Sequence, residues 1–244
     1  MLGNLQIWDF EFPTLLYHVL TPSYSLRMLS FSSDGFNLVD VISKEMRIWS
    51  PSTLTRKTFE EESSTSDQAA VLPVAEGQYR RFQSSKIRSM VVHGDLPNIF
   101  AGTYNGDVVM QSTVGGAGLT TMYTHQDTMV KCIAVSKEHV SSCDIDGTVK
   151  VQQLDLTKRT QIKVCQFGVQ IQMVLAPHQL LFDESGNHLL ISTADSDYVY
   201  KVSSGSLVGS LVSTSKERRD RIMIWMRFAD REHGSQFLLV SGQR

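Results

Sequence analysis

The sequence predicts an all-β fold, a β-propeller of four-stranded antiparallel blades, on three observations. Short alternating runs recur at a near-constant period, each group of four runs keeps one internal order, and no segment sustains a 3.6-residue helical pattern. The runs Gln6-Ile7-Trp8-Asp9, Arg47-Ile48-Trp49-Ser50, Val109-Met110-Gln111-Ser112, Lys150-Val151-Gln152-Gln153 and Tyr200-Lys201-Val202 fall into one column. Anchors at 8, 49, 111, 152 and 201 stand 41, 62, 41 and 49 residues apart. The surplus in the second interval coincides with a Ser/Thr/Glu-rich stretch at about 60–85, which reads as an inserted polar loop.

The chain opens in mid-unit, with third and fourth strands expected at about Leu5–Phe10 and Thr14–Leu20. Four full units follow, whose first runs are Leu26–Phe31, Ile87–Val92, Val130–Val135 and Leu180–Phe182. A turn such as Ser33-Asp34-Gly35 or Glu184-Ser185-Gly186 leads to the second runs, Phe36–Ile42, Asn98–Thr103, His139–Cys143 and His188–Thr193. Asn105-Gly106 and Asp146-Gly147 then supply the positive φ values of two-residue hairpins into the anchor runs. Fourth runs are Leu54–Phe59, Leu119–Thr124, Arg159–Phe167 and Ser206–Val212, and the chain ends on two strands of a further unit, Ile222–Arg227 and Gln236–Ser241. A four-strand meander cannot bury both faces alone, and radial stacking of copies does so. Residues 1–244 are therefore read as a single domain of about five blades, either closed by pairing of the two ends or an open arc of a larger propeller.

Composition narrows the function. Of 244 residues, 41 % are hydrophobic and 20 % charged, as in an ordinary soluble globular protein. Lys+Arg 23 against Asp+Glu 25 gives a net charge of −2, without the basic excess that neutralising nucleic-acid phosphates requires. No uncharged apolar stretch reaches the ~18 residues of a membrane span, and the N-terminal segment lacks the basic and apolar regions of a signal peptide. Cys132, Cys143 and Cys165 form no CxxC pair, so a reduced, cytoplasmic chain is the simplest reading. Cys132 and Cys143 fall on consecutive antiparallel strands where their side chains can approach, and are expected as small buried hydrophobes rather than a disulfide.

Ile7-Trp8-Asp9, the weaker copy Ile48-Trp49-Ser50 and the turn Phe31-Ser32-Ser33-Asp34-Gly35 resemble the motifs of WD40-repeat proteins. In the other copies Gln111, Gln152 and Lys201 stand where the family has tryptophan. The resemblance implies structural parts for Trp8, Asp9 and Trp49, and matches His125 with Asp146-Gly147 to the family's His–Asp pair. On that basis Asp146→Ala is expected to leave a buried histidine unsatisfied, at roughly 1–3 kcal/mol. WD40 relatives usually have more than five blades, which favours the open arc. At a finer level, residues His188–Asp195 and Ile224–Ala229 are similar to divergent blades behind NACHT nucleoside-triphosphatase domains in fungal STAND-type receptors. This sequence carries no nucleotide-binding motif of its own.

Catalytic and metal patterns are weak. The seven histidines, at 18, 93, 125, 139, 178, 188 and 233, show neither zinc spacing nor helical i+3 or i+4 pairing, so no metal or other cofactor is expected. There is no G-x-S-x-G elbow, Gly115-Gly116-Ala117-Gly118 reads as a hairpin loop, and Glu60-Glu61-Glu62 as solvated carboxylates. The run from Lys216 to Arg221 is interrupted by acids and reads as a solvated loop. One pattern points to binding. Arg27, Arg88 and Lys131 each follow the first apolar residue of an inner strand, so they repeat around one mouth of the central channel. Such bases either snorkel to solvent or attract acidic or phosphorylated peptides. The expected function is a non-catalytic protein-interaction scaffold, which on the receptor resemblance would be the sensing or autoinhibitory end of a larger signalling protein. The competing readings are a propeller enzyme with a channel site and a truncated gene product.

Overall fold

Alternation over short runs makes strands throughout the part of the computed structural model that is described: residues 3–9, 14–21, 28–32, 38–42, 45–49, 71–72, 79–83, 86–93, 95, 97–112, 119–155, 163–212, 222–227 and 236–241. The strands are β1 (Gly3–Asp9), β2 (Thr14–Thr21), β3 (Met28–Phe31), β4 (Leu38–Ile42), β5 (Glu45–Trp49), β6 (Val71–Leu72) and β7 (Tyr79–Gln83). Then come β8 (Ile87–Val92), β9 (Asn98–Thr103), β10 (Asp107–Ser112), β11 (Thr120–Thr124), β12 (Val130–Val135), β13 (His139–Asp144), β14 (Thr148–Asp155) and β15 (Lys163–Gln172). The last are β16 (Gln179–Phe182), β17 (His188–Ser192), β18 (Ser196–Lys201), β19 (Ser206–Val212), β20 (Ile222–Arg227) and β21 (Gln236–Ser241).

Four sheets are four-stranded antiparallel meanders: β3-β4-β5-β7, β8-β9-β10-β11, β12-β13-β14-β15 and β16-β17-β18-β19. The first strands of successive sheets, β3, β8, β12, β16 and β20, lie side by side in chain order. Apolar side chains fill the space between neighbouring sheets, as the repeat requires. Val39, Val41, Met46 and Ile48 meet Ile87, Ile99, Ala101 and Val109 between the first two meanders. Phe100, Val108 and Met110 meet Val130, Ile133 and Val140 between the next two. Val149, Val151 and Ile171 meet Leu180, Phe182, Leu189 and Ile191 between the last two. Burial of this kind on both faces is what a lone meander cannot supply. The fold is thus all-β and multi-bladed, with no helix among the described residues and none long and apolar enough to cross a membrane.

Of the two readings of the ends, the open arc agrees with the structure: among the described residues β1-β2 and β20-β21 belong to separate sheets, and the arrangement is not closed. The fold departs from the sequence reading in three places. The fourth strand of the first meander is β7, paired with β5 from Trp49↔Tyr79 to Glu45↔Gln83, where Leu54–Phe59 was expected. Residues 54–59 lie outside the described part. The segment 79–83 hides its strand because an outer strand tolerates polar positions such as Arg80 and Arg81, which blur the period-two signal. Within the same insertion β6 pairs in parallel with β2, His18↔Val71 and Val19↔Leu72, adding a short strand to the open side of the β1-β2 pair.

Third, the hairpins at Asn105-Gly106 and Asp146-Gly147 have three-residue loops. Only Gly106 (φ 91°) and Gly147 (φ 86°) take positive φ, and their amides donate back to the carbonyls of Thr103 and Asp144. This is a type I turn closed by one left-handed residue, and it needs one glycine where a two-residue turn needs two permissive residues.

Asp40 and Arg47, directly opposite on β4 and β5, are both buried. Arg47 Nε donates to Asp40 Oδ1 (2.7 Å) and its Nη2 to Oδ2 (2.5 Å), a two-pronged ion pair. By strand alternation the pair faces away from Val39, Val41, Met46 and Ile48, on the side opposite the shared core.

Candidate functional site

Two of the three bases in the sequence column occupy one structural position. In β8 the register shifts between Ile87 and Ser89, and in β12 between Val130 and Cys132. The extra residues are Arg88 and Lys131, so each base sits in a bulge at the start of an inner strand, where the backbone re-aims its side chain. The Ser89 hydroxyl donates to Val130 O (3.5 Å), joining the two bulges. Arg88 is exposed, whereas Lys131 is half-buried and its ammonium donates to Ala176 O (3.2 Å). Arg27 lies outside the described residues.

Beside these bulges stands a hydrogen-bonded node. His125 Nδ1–H donates to Asp144 Oδ2 (3.1 Å), the Ser142 hydroxyl donates to His125 Nε2 (2.7 Å), and the Tyr123 hydroxyl donates to Ser142 Oγ (2.8 Å). The other carboxylate oxygen of Asp144 accepts the amides of Asp146 (3.0 Å) and Thr148 (2.8 Å). The histidine therefore pairs with Asp144, and Asp146, expected as its partner, is exposed in the turn. Strand geometry explains the change: Asp144 ends β13, where its side chain reaches both the turn amides and His125, the residue that follows β11. Gly147 allows the turn to lie against the next loop, since a Cβ there would stand 2.5 Å from Met173 O. Burial pushes the Tyr123 phenol up and keeps it a donor, and burial pushes His125 down despite Asp144, which keeps the ring neutral. Trp8 and Asp9 lie on β1 and Trp49 ends β5, but their side chains are outside the described part.

The node holds a loop. Met173 N donates to Gly147 O (2.9 Å), the Gln172 amide to Asp146 O (2.9 Å), and the Cys143 thiol to Pro177 O (3.8 Å). With Lys131 on Ala176, the backbone of residues 173–177 is pinned at three points, Met173, Ala176 and Pro177. Two of its side chains are exposed, Val174 at 100 % and Leu175 at 42 %, as is Ile145 at 46 % in the Asp144–Gly147 turn, whereas Met173 is buried. Ile145, Val174 and Leu175 are thus apolar residues exposed on turns whose backbones are held by polar bonds. The sequence reading missed this trio because exposed and buried aliphatic residues look alike without a register.

Four histidines share one electrostatic property. Burial is the largest influence on His93, His125, His139 and His178, and it lowers each below the ordinary value of 6.5. His93 accepts the Asp95 amide at Nδ1 and donates from Nε2 to Lys137 O, both at 3.1 Å, as only a neutral ring can. A base whose folded value is depressed stays neutral in the fold while the unfolded chain takes up a proton. Stability is then complete above 6.5 and falls as the pH drops through 6.5 toward the depressed values. Asp183 adds to this at lower pH. Burial alone would raise it, but hydrogen bonds from Ser185 and His188 bring it below 3.8, so its contribution is lost as the pH falls through that region. The urea midpoint is expected to be lower at about pH 5.5 than at about pH 7.5. Equal midpoints would show that these rings carry their protons in the folded chain.

No family model matches the chain, and no curated protein does. Among solved structures 1085 chains match, so the architecture is too widely shared to select a function by itself. One of them is the crystal structure of the computationally designed Ika8 protein, 16 % identical with a TM-score of 0.58. The match covers 86 % of this chain and 56 % of that one, so the chain spans little more than half the length of Ika8. At that identity the likeness concerns the path of the backbone, and its conclusion is an all-β, multi-bladed fold.

Proposed function

We propose that this chain is a non-catalytic protein-interaction module that binds an acidic or phosphorylated peptide carrying an apolar residue. The observation that carries the reading is that the exposed Arg88 bulge, joined through Ser89 to the Lys131 bulge, lies at the same end of the sheets as the exposed Ile145, Val174 and Leu175 on loops held by buried polar bonds. A preformed surface loses little entropy on binding, and one base beside an apolar patch supplies both steering and an anchor. Lys131 contributes chiefly by holding Ala176, so Arg88 is the base that meets the peptide. The WD40-like motifs, a cytoplasmic setting and a place as the sensing part of a larger NACHT/STAND-type protein accord with this reading.

The connectivity Ser142–His125–Asp144 is that of a hydrolytic triad, but the three residues are buried and Ser142 Oγ already accepts the Tyr123 hydroxyl. That arrangement supports a structural part for them. The test is an array of acidic and phosphorylated peptides probed with the chain, followed by Kd measurements on the best binder. Arg88→Glu and Val174→Asp are each expected to weaken it about tenfold, equivalent to about 1.4 kcal/mol. Peptide binding indifferent to both changes, or an array with no binder, would overturn the assignment.

A further inference from the structure

We infer that Cys132 and Cys143 form an oxidation-sensitive pair that closes to a disulfide across β12 and β13. The bulge at Lys131 sets the register so that Cys132 stands directly opposite Cys143, and the two sulfurs are 2.8 Å apart as free thiols. Directly paired antiparallel residues have Cα atoms roughly 4.5–5.5 Å apart, within the span that a disulfide bridges. An S–S bond of about 2.05 Å therefore needs less than an ångström of further approach, without movement of the strands.

The surroundings decide which oxidants act. Cys143 is fully buried in the core shared with Val149, Ile171, Met173 and Leu180, and Cys132 packs at its margin, half-buried. The contact with Cys143, followed by burial, pushes the Cys132 thiol well up, while Lys131 and Arg88 pull it down. Thiolate is thus scarce under ordinary conditions and supplied at Cys132, the sulfur nearer solvent and the two bases. A peroxide supplies the oxidising equivalents. The Cys132 thiolate attacks one peroxide oxygen, breaking the O–O bond to give a sulfenic acid, and the departing hydroxide takes a proton to leave as water. Cys143 sulfur then attacks Cys132 sulfur, the S–O bond breaks, and the Cys143 proton leaves with that hydroxyl as a second water. Two thiols are oxidised by two electrons and one hydrogen peroxide becomes two waters. Closure also removes the S–H that Cys143 donates to Pro177 O, one of the three pins of the 173–177 loop.

The full chain exposed to hydrogen peroxide, alkylated and digested with trypsin tests this. Cleavage after Lys131, Lys137 and Lys150 places the two cysteines on separate peptides. The expected product has lost two hydrogens and joins the peptide starting at Cys132 to the one starting at Glu138, and dithiothreitol separates them again. Amide exchange at 173–177 should be faster in the oxidised chain. Full alkylation of both cysteines after exposure, or oxygen adducts on Cys132 without a cross-link, would overturn the inference. Unchanged exchange across the loop would overturn its coupling to the pair. In Cys143→Ala the same treatment should leave oxygen adducts on Cys132, because no second thiol intercepts the sulfenic acid.

Discussion

Arg47→Met is expected to lower the unfolding free energy by about 3–5 kcal/mol, because it takes the neutralising guanidinium from the buried Asp40 carboxylate. The carboxylate accepts two short charge-assisted bonds from Arg47, and a methionine at 47 supplies neither. The effect belongs to the orphaned charge rather than to the pair as such. Replacing both residues by apolar ones of similar size, Asp40→Leu with Arg47→Met, should therefore recover most of the loss. Urea melts of the two variants and the parent chain decide the matter. A double variant as unstable as the single one would mean that the pair stabilises through bonds beyond its own charges. A single variant within about 0.5 kcal/mol of the parent would mean that the site admits water.

Asp144→Ala is the second large effect, at about 3 kcal/mol, since it removes the acceptor for the Asp146 amide, the Thr148 amide and His125 Nδ1 together. Asp146→Ala, two residues away, should stay within about 0.5 kcal/mol, because that side chain is exposed and the turn uses its backbone. The contrast separates the observed node from the pairing that the sequence motif implies. Asp144→Asn is an informative intermediate, keeping the two turn bonds while replacing the charged acceptor facing His125. Loss of stability in Asp146→Ala comparable with that in Asp144→Ala would show that the turn is organised through the other carboxylate.

Much of the fold could be read from the sequence because it depends on local periodicity. Strands such as Asn98–Thr103 and His188–Ser192 declare themselves through apolar runs next to glycine turns, and the stacking follows from their double-sided burial. What escaped depends on register. An error of two residues separates Asp146 from Asp144, and only the pairing of β12 with β13 decides between them. The bulges at Arg88 and Lys131 were visible as a column of bases but not as bulges, since an unpaired residue leaves no mark in the alternation. Strand β7 was missed for the opposite reason, a real strand without a clean period. The Asp40–Arg47 pair did leave a trace. Each charge interrupts an apolar run, and pairing outward from Ile42↔Glu45 places them opposite one another. That count also needs the register, which the pairing of Ile42 with Glu45 fixes.

Each apolar interior of this chain is jointly owned by two sheets. A sheet at the margin of the series can open by giving up one set of contacts, whereas β8-β9-β10-β11 and β12-β13-β14-β15 must give up two. The chain should behave as a row of nearest-neighbour-coupled units whose middle is the last part to melt, and loops borne by those two sheets inherit that steadiness.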